Sequence, residues 1–186
     1  MATIHTGTTL VPTKLELLAD WLPRQSWYRD TGRPPVLSRA GGFRLDDPAG
    51  EVGIECMFVT DDGGTTYFVP LSYRGAPLAG AEDALIGTSE HGVLGLRWIY
   101  DGAQDRVVVA ALRAFRDGEI EAQHQSRSDT VDPSVVAHRG PGSRTGTVVI
   151  VRVPEPAEDA AGVDRVEAGW TAADATSVRG TVVIFR

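Results

Sequence analysis

The sequence contains no asparagine and a single lysine, Lys14; the other basic residues are all arginine. GC-rich coding sequence uses Lys and Asn least, so this bias points to a GC-rich gene. Without Asn there is no N-glycosylation acceptor. A single cysteine, Cys56, excludes an intrachain disulfide and any multi-cysteine metal site. Positive charge is short as well. The formal net charge of -7 argues against a nucleic-acid partner, which needs a basic face, and against docking on anionic lipid. No run approaches the roughly 20 apolar residues of a membrane span. The stretch Met1 to Lys14 has five threonines and no apolar h-region, so we expect no signal peptide and a cytoplasmic protein.

What is present fits one core or one domain with an appendage: 186 residues, 42% hydrophobic. The 21 Gly and 11 Pro favour strands joined by tight turns over long helices. Thr13 followed by Glu16 forms a capping-box pattern, and Leu15, Leu18 and Leu22 then recur at helical spacing. Pro23 stops this helix or bends it into a further turn. Phe43 and Leu45 alternate ahead of an Asp47-Pro48-Ala49-Gly50 turn. Val52, Ile54, Cys56 and Phe58 then share one strand face. After Asp61-Asp62-Gly63-Gly64, Tyr67, Val69, Leu71 and Tyr73 line a third strand, which completes an antiparallel meander. Pro70 lacks a ladder donor and predicts an edge strand or a bulge.

Beyond the loop 75–82, Ala84 to Thr88 reads as a short strand, and Leu94, Leu96, Trp98 and Tyr100 make a clearer one. Asp105 caps a second helix with Val108, Leu112 and Phe115 on its buried stripe and Gly118 just past its end. A polar strand is expected over Glu119 to Ser126. Turn-like composition from Asp129 to Ser143 sets a soft boundary. In the tail, Gly146-Thr147-Val148-Val149-Ile150 recurs as Gly180-Thr181-Val182-Val183-Ile184, each copy followed by one residue and an arginine. We read these as two similar strands, with Val163 to Trp170 as a third.

Several of these residues carry a family resemblance. Pro12-Thr13-Lys14-Leu15-Glu16 and Trp21-Leu22-Pro23-x-Gln25-x-Trp27-Tyr28 resemble the N-terminal cap domain of actinobacterial maltokinases. Val69-Pro70-Leu71-x-Tyr73-Arg74-Gly75-Ala76-Pro77-Leu78 is similar to stand-alone proteins of the same cap type. So are Leu85-Ile86-Gly87-Thr88, Glu90-His91-Gly92-Val93-Leu94-Gly95 and Arg97-Trp98-x-Tyr100-Asp101. The resemblance covers roughly residues 1–130, leaving 131–186 as a carboxy-terminal β segment of the same globular unit. It implies a cystatin-like curved antiparallel sheet with a helix, and a non-catalytic module linked to α-glucan, maltose or trehalose metabolism. Some relatives carry glucan-branching labels, but a branching enzyme needs a large barrel that this length cannot supply.

The residue inventory argues against kinase chemistry. Phosphoryl transfer needs a phosphate-binding lysine and a magnesium-holding Asn, yet Lys14 follows no glycine-rich loop and Asn is absent. Cys56 on an alternating apolar face reads as a buried core thiol. His5, His91, His124 and His138 lack metal-ligand spacing, and we expect no metal and no cofactor. Asp46-Asp47 and Asp61-Asp62 lie in hairpin turns, where Asp bonds the backbone, and Asp129 and Asp132 lack calcium-loop spacing.

Two segments are candidate contact sites. Gly87-Thr88-Ser89-Glu90-His91-Gly92, just before Arg97 and Trp98, is either a structural loop or the cradle of a small polar ligand. Arg24, Gln25, Trp27 and Tyr28 either pin the helix end to the sheet or form an aromatic–arginine interface patch. Arg74 joins them as a candidate. The expected fold is α+β: a curved antiparallel sheet on one or two helices, with carboxy-terminal strands that extend it or form a second layer. The expected function is an interaction or regulatory module with a protein partner or as a homo-oligomer. A sugar or sugar-phosphate binding protein is the alternative, with its pocket between sheet and first helix. An enzyme using Glu90 and His91 as acid and base is the weaker one.

Overall fold

The structure, a computed structural model, describes residues 10–127, 129–140, 146–156 and 162–186. The start of the chain through residue 9, with His5, and positions 141–143 of the turn-rich segment lie outside the described residues. The elements in chain order are β1 (Leu10–Val11), α1 (Lys14–Trp21), β2 (Ser38–Leu45), β3 (Gly53–Thr60), β4 (Thr66–Arg74), β5 (Leu85–His91) and β6 (Gly95–Asp101). They continue with α2 (Arg106–Asp117), β7 (Gln123–His124), β8 (Val136–His138), β9 (Val148–Ile150), β10 (Arg165–Thr171) and β11 (Ser177–Phe185). The fold is α+β. A curled antiparallel sheet orders its strands β1-β5-β6-β4-β3-β2-β7, and a second, four-stranded sheet orders them β8-β10-β11-β9.

Turn chemistry sets the meander. The Asp47 carboxylate accepts the N–H groups of Ala49, Glu51 and Val52, each at 3.0 Å. Asp61 does the same for Gly63 and Thr65 and also accepts the Tyr67 hydroxyl at 3.1 Å. Both acids are therefore turn-builders. The helices end where their signals stand. Thr13 and Glu16 complete the capping box of α1, and Pro23 diverts the chain into a 3-10 turn, Leu22–Arg24. Asp105 caps α2 through Val107, and Gly118, at φ 74°, closes it in the left-handed conformation.

The two helices lie on opposite faces of the large sheet, because both faces are apolar. On one side α1 packs Leu18, Trp21 and Leu22 on Met57, Val59, Tyr67, Val69 and Leu71. On the other side α2 and the second sheet together cover Phe43, Ile54, Cys56, Phe58 and Phe68. Trp170 of β10 stacks on Phe58 at 5.2 Å between centroids, so the tail forms a second layer. The two echo segments became neighbours: Ile150 faces Val183 and Val149 faces Ile184 in an antiparallel ladder.

Three local expectations are corrected, and the edge expected at Pro70 holds for only part of its strand. The segment 87–92 is not a loop. Most of it is β5, held between β6 and β1, with Glu90 opposite Leu96 and Val11. Pairing on both sides overrides its turn-like composition. The polar strand expected over Glu119–Ser126 shrinks to β7, and the turn-rich 129–143 stretch contains β8, which β10 recruits through His138 opposite Arg165. β4 is an interior strand over Leu71–Arg74, where β6 pairs with it, and an edge only before that. Pro70 stands at the changeover. Alternate residues present their N–H to the same side, and Phe68 directs its own away from β3, to the Arg152 carbonyl at 2.9 Å. The missing Pro70 donor therefore faces the gap that β6 has left and costs no ladder bond.

Candidate functional site

The candidate residues fall into two groups at opposite ends of the sheet. Tyr67 marks one end of β4 and Arg74 the other, about 23 Å apart at about 3.3 Å per strand residue. At the first end, Pro23 forces the chain out of α1 and lays Gln25, Trp27 and Tyr28 against the sheet. Gln25 donates to the Trp21 carbonyl at 3.3 Å and Arg24 to that of Asp20 at 3.0 Å. Trp27 meets Trp21 edge-on at 5.7 Å, and Tyr28 stacks on Tyr67 at 5.5 Å. Burial, reinforced by nearby Asp61, raises the Tyr28 hydroxyl pKa and pushes that of Tyr67 up to about 12. The aromatics thus pin the helix end to the sheet. Arg24 is the exposed member of the group.

At the second end, Arg74 makes two charge-assisted bonds to Asp105, at 2.8 and 2.7 Å, while the same carboxylate caps α2. Burial pushes the Asp105 carboxyl up, but Arg74, Ser72 and the Val107 N–H outweigh it and hold it below its ordinary value. Cross-strand partners share a face and successive residues alternate. The register therefore sets Arg74, Trp98, Thr88, Glu90 and Leu96 on the α2 side, and Arg97 and His91 on the α1 side. Glu90 and His91 point to opposite faces, so the strand does not aim them at a common substrate. The His91 Nδ1 accepts the N–H groups of Val93 and Leu94, bracing the hairpin, and Arg97 donates to the Leu94 carbonyl at 2.7 Å.

What remains open on this side is a set of apolar side chains around Thr88 and Glu90. The cover provided by α2 and the second sheet reaches β2, β3 and β4, and its core contains no residue of β5 or β6. Beyond it Val11 is 66% exposed and Leu96 39%, in one row across Glu90, with Leu85, Val93 and Leu94 also exposed.

Two polar constellations escaped sequence reasoning. Lys14 reaches from the start of α1 to buried Glu55, Nζ to Oε2 at 2.5 Å. The Tyr73 hydroxyl donates to the same oxygen at 2.8 Å and Gln125 to the other at 2.7 Å. Burial pushes Glu55 up, yet the Lys14 charge and these bonds hold it below its ordinary range. The second constellation comes from the chain after β9, which wraps the free edge of β4. There Arg152 pairs with Asp101 at 2.5 Å and lies 4.8 Å over the Trp27 ring. The sequence places Lys14 at the start of a helix and gives no sign of either pairing.

The space between sheet and α1, where the alternative small-ligand reading puts its pocket, is filled by the α1-side core. A shallow cleft of about 270 Å³ lies elsewhere, between the β3–β4 turn, residues 153–156 and the second sheet, lined in part by Arg29, Thr65, Glu155 and Trp170. Among the described residues no group of His, Cys, Asp and Glu is arranged to hold a metal ion, and no helix is long and apolar enough to cross a membrane. Residues 21–105, just under half of the chain, match the family of the maltokinase N-terminal cap domain. The match is narrower than the 1–130 span of the resemblance, and α2 with the whole second sheet lies beyond it. No curated protein matches the sequence.

Proposed function

From a chain that carries a maltokinase N-terminal cap-like domain over residues 21–105, we propose a non-catalytic module that works by contact with another protein. One observation carries this reading: the large sheet runs past its own cover, exposing Val11 and Leu96 on one strand face, with Leu94 exposed in the adjoining hairpin turn. Exposed apolar side chains on a sheet face, framed by a polar group such as Glu90, fit an interaction site. The other polar candidates of this end, Glu90 apart, are bonded within the fold. Arg74 is held by Asp105, and His91 and Arg97 brace the β5–β6 hairpin. The match to the maltokinase cap supports a partner among enzymes of α-glucan, maltose or trehalose metabolism in the cytoplasm, which the module would position or regulate. The test is affinity capture, purification of the enzyme identified, and calorimetric titration against wild type and Leu96→Asp. We expect binding that weakens at least tenfold, about 1.4 kcal/mol, in the variant. Equal affinity for both, or no enzyme of this metabolism binding at all, refutes the reading.

Binding of a small polar ligand is the second reading, favoured by the cleft beside Arg29, Glu155 and Trp170. Thermal shift with sugars and sugar phosphates tests it. A shift lost on Arg29→Ala supports the cleft, and a flat response across the set rules it out.

A further inference from the structure

We propose that the partner covers the open face of β1, β5 and β6 with an apolar strip carrying one arginine or lysine opposite Glu90, and is a different protein from this chain. This deepens the reading of the chain as a protein-contact module and rests on it. On the α2 side these strands present Val11, Leu85, Thr88, Glu90, Leu96 and Trp98 toward the opening, and Glu90 is the one charge among them. Val11 and Leu96 flank Glu90 directly, one on each neighbouring strand, and all three are exposed. A partner that buries the two apolar side chains must also take the carboxylate out of water.

A carboxylate desolvated without a counter-charge is strongly unfavourable, whereas a guanidinium satisfies it with parallel hydrogen bonds. Among the described residues of these strands and β4, the base on the same face is Arg74, and it is committed to Asp105. The counter-charge must then come from the partner. A second copy docked on the same patch about a two-fold axis would bring one Glu90 toward the other. Glu82 and Asp83, exposed in the turn that leads into β5, would add repulsion between two chains of net charge -7. The acidic frame selects a basic, apolar partner and disfavours self-association.

The experiment places a photo-crosslinking phenylalanine analogue at position 96 and, as a control on the second sheet, at position 171 of the full chain in extract of its source cells. Crosslinks from position 96 should map to one protein, beside an arginine or lysine. That protein, purified, should bind Glu90→Gln about tenfold more weakly and Glu90→Arg at least a hundredfold more weakly. Both variants should keep the wild-type melting temperature, because Glu90 is exposed. Position 96 crosslinking to a second copy, or unchanged affinity of Glu90→Arg, overturns the proposal. Specific crosslinks from 171 but not from 96 overturn this surface while the protein-contact reading stands. Specific crosslinks from neither position overturn both.

Discussion

Replacing the only lysine should cost far more than a surface lysine is worth. Lys14→Met removes the cation from Glu55, whose side chain is 8% exposed, while Lys14 itself is 29% exposed. Breaking a buried pair by deleting one partner costs about 3–5 kcal/mol, because the surviving charge stays desolvated. Glu55 keeps the Tyr73 hydroxyl and the Gln125 amide, so we place the loss near the lower end, about 3 kcal/mol. Urea denaturation at pH 7 reads it directly. The pH dependence is a second signature. In the wild type the folded pKa of Glu55 lies below its unfolded value of 4.5. Its contribution is complete above that value and is lost as pH falls through the folded pKa. In Lys14→Met burial acts without the cation, so the folded pKa rises above the unfolded one and the variant gains stability as it protonates. The gap between the two proteins should be widest near neutrality and close as pH is lowered through 4.5. Lys14→Met/Glu55→Gln should recover most of the loss, since a neutral amide needs no counter-ion. A cost under about 0.5 kcal/mol at pH 7, the scale of an exposed pair, would refute the argument. So would a gap that stays constant from pH 7 to 4.

Two further outcomes follow from the same geometry. Arg74→Ala leaves Asp105 buried and unpaired beneath the start of α2 and should destabilise by about 3 kcal/mol in urea. Arg74→Lys should recover only part of this, because an ammonium cannot reproduce the bidentate pair. Burial, with Glu55 adjacent, holds the Cys56 thiol far above its ordinary pKa. Native protein should therefore be inert to a thiol-specific disulfide reagent at pH 8 and show one thiol in denaturant, whereas rapid native labelling would mean that β3 opens.

The parts of the fold legible in the sequence were those set by neighbours in the chain. Asp47 and Asp61 announce their turns, Thr13 and Asp105 their helices, and Gly118 the end of α2, because each acts within a few residues. What stayed hidden depends on pairing at long range. Period-two reading of β3 placed Ile54, Cys56 and Phe58 inward and left Glu55 on a nominal outer face. Nothing local said that α1 would cover that face and lower a lysine onto it. Likewise β5 beyond Thr88 looks like a loop until β1 and β6 flank it, and Arg74 shows its role only when Asp105, 31 residues away, is in place. The candidate site suffered most. Residue types suited to chemistry were visible, but alternation along β5 and β6 distributes them over two faces.

The ladder between β9 and β11 has a consequence for handling the protein. Two copies of one five-residue segment recognise each other within a single chain, and the same edge chemistry is available to a neighbouring molecule. What keeps the match internal is tethering, which holds the second copy at an effective concentration of roughly millimolar. In dilute solution the internal copy outcompetes any external one by a wide margin. As protein concentration approaches that value during refolding, the advantage narrows and strand exchange between molecules becomes the competing reaction.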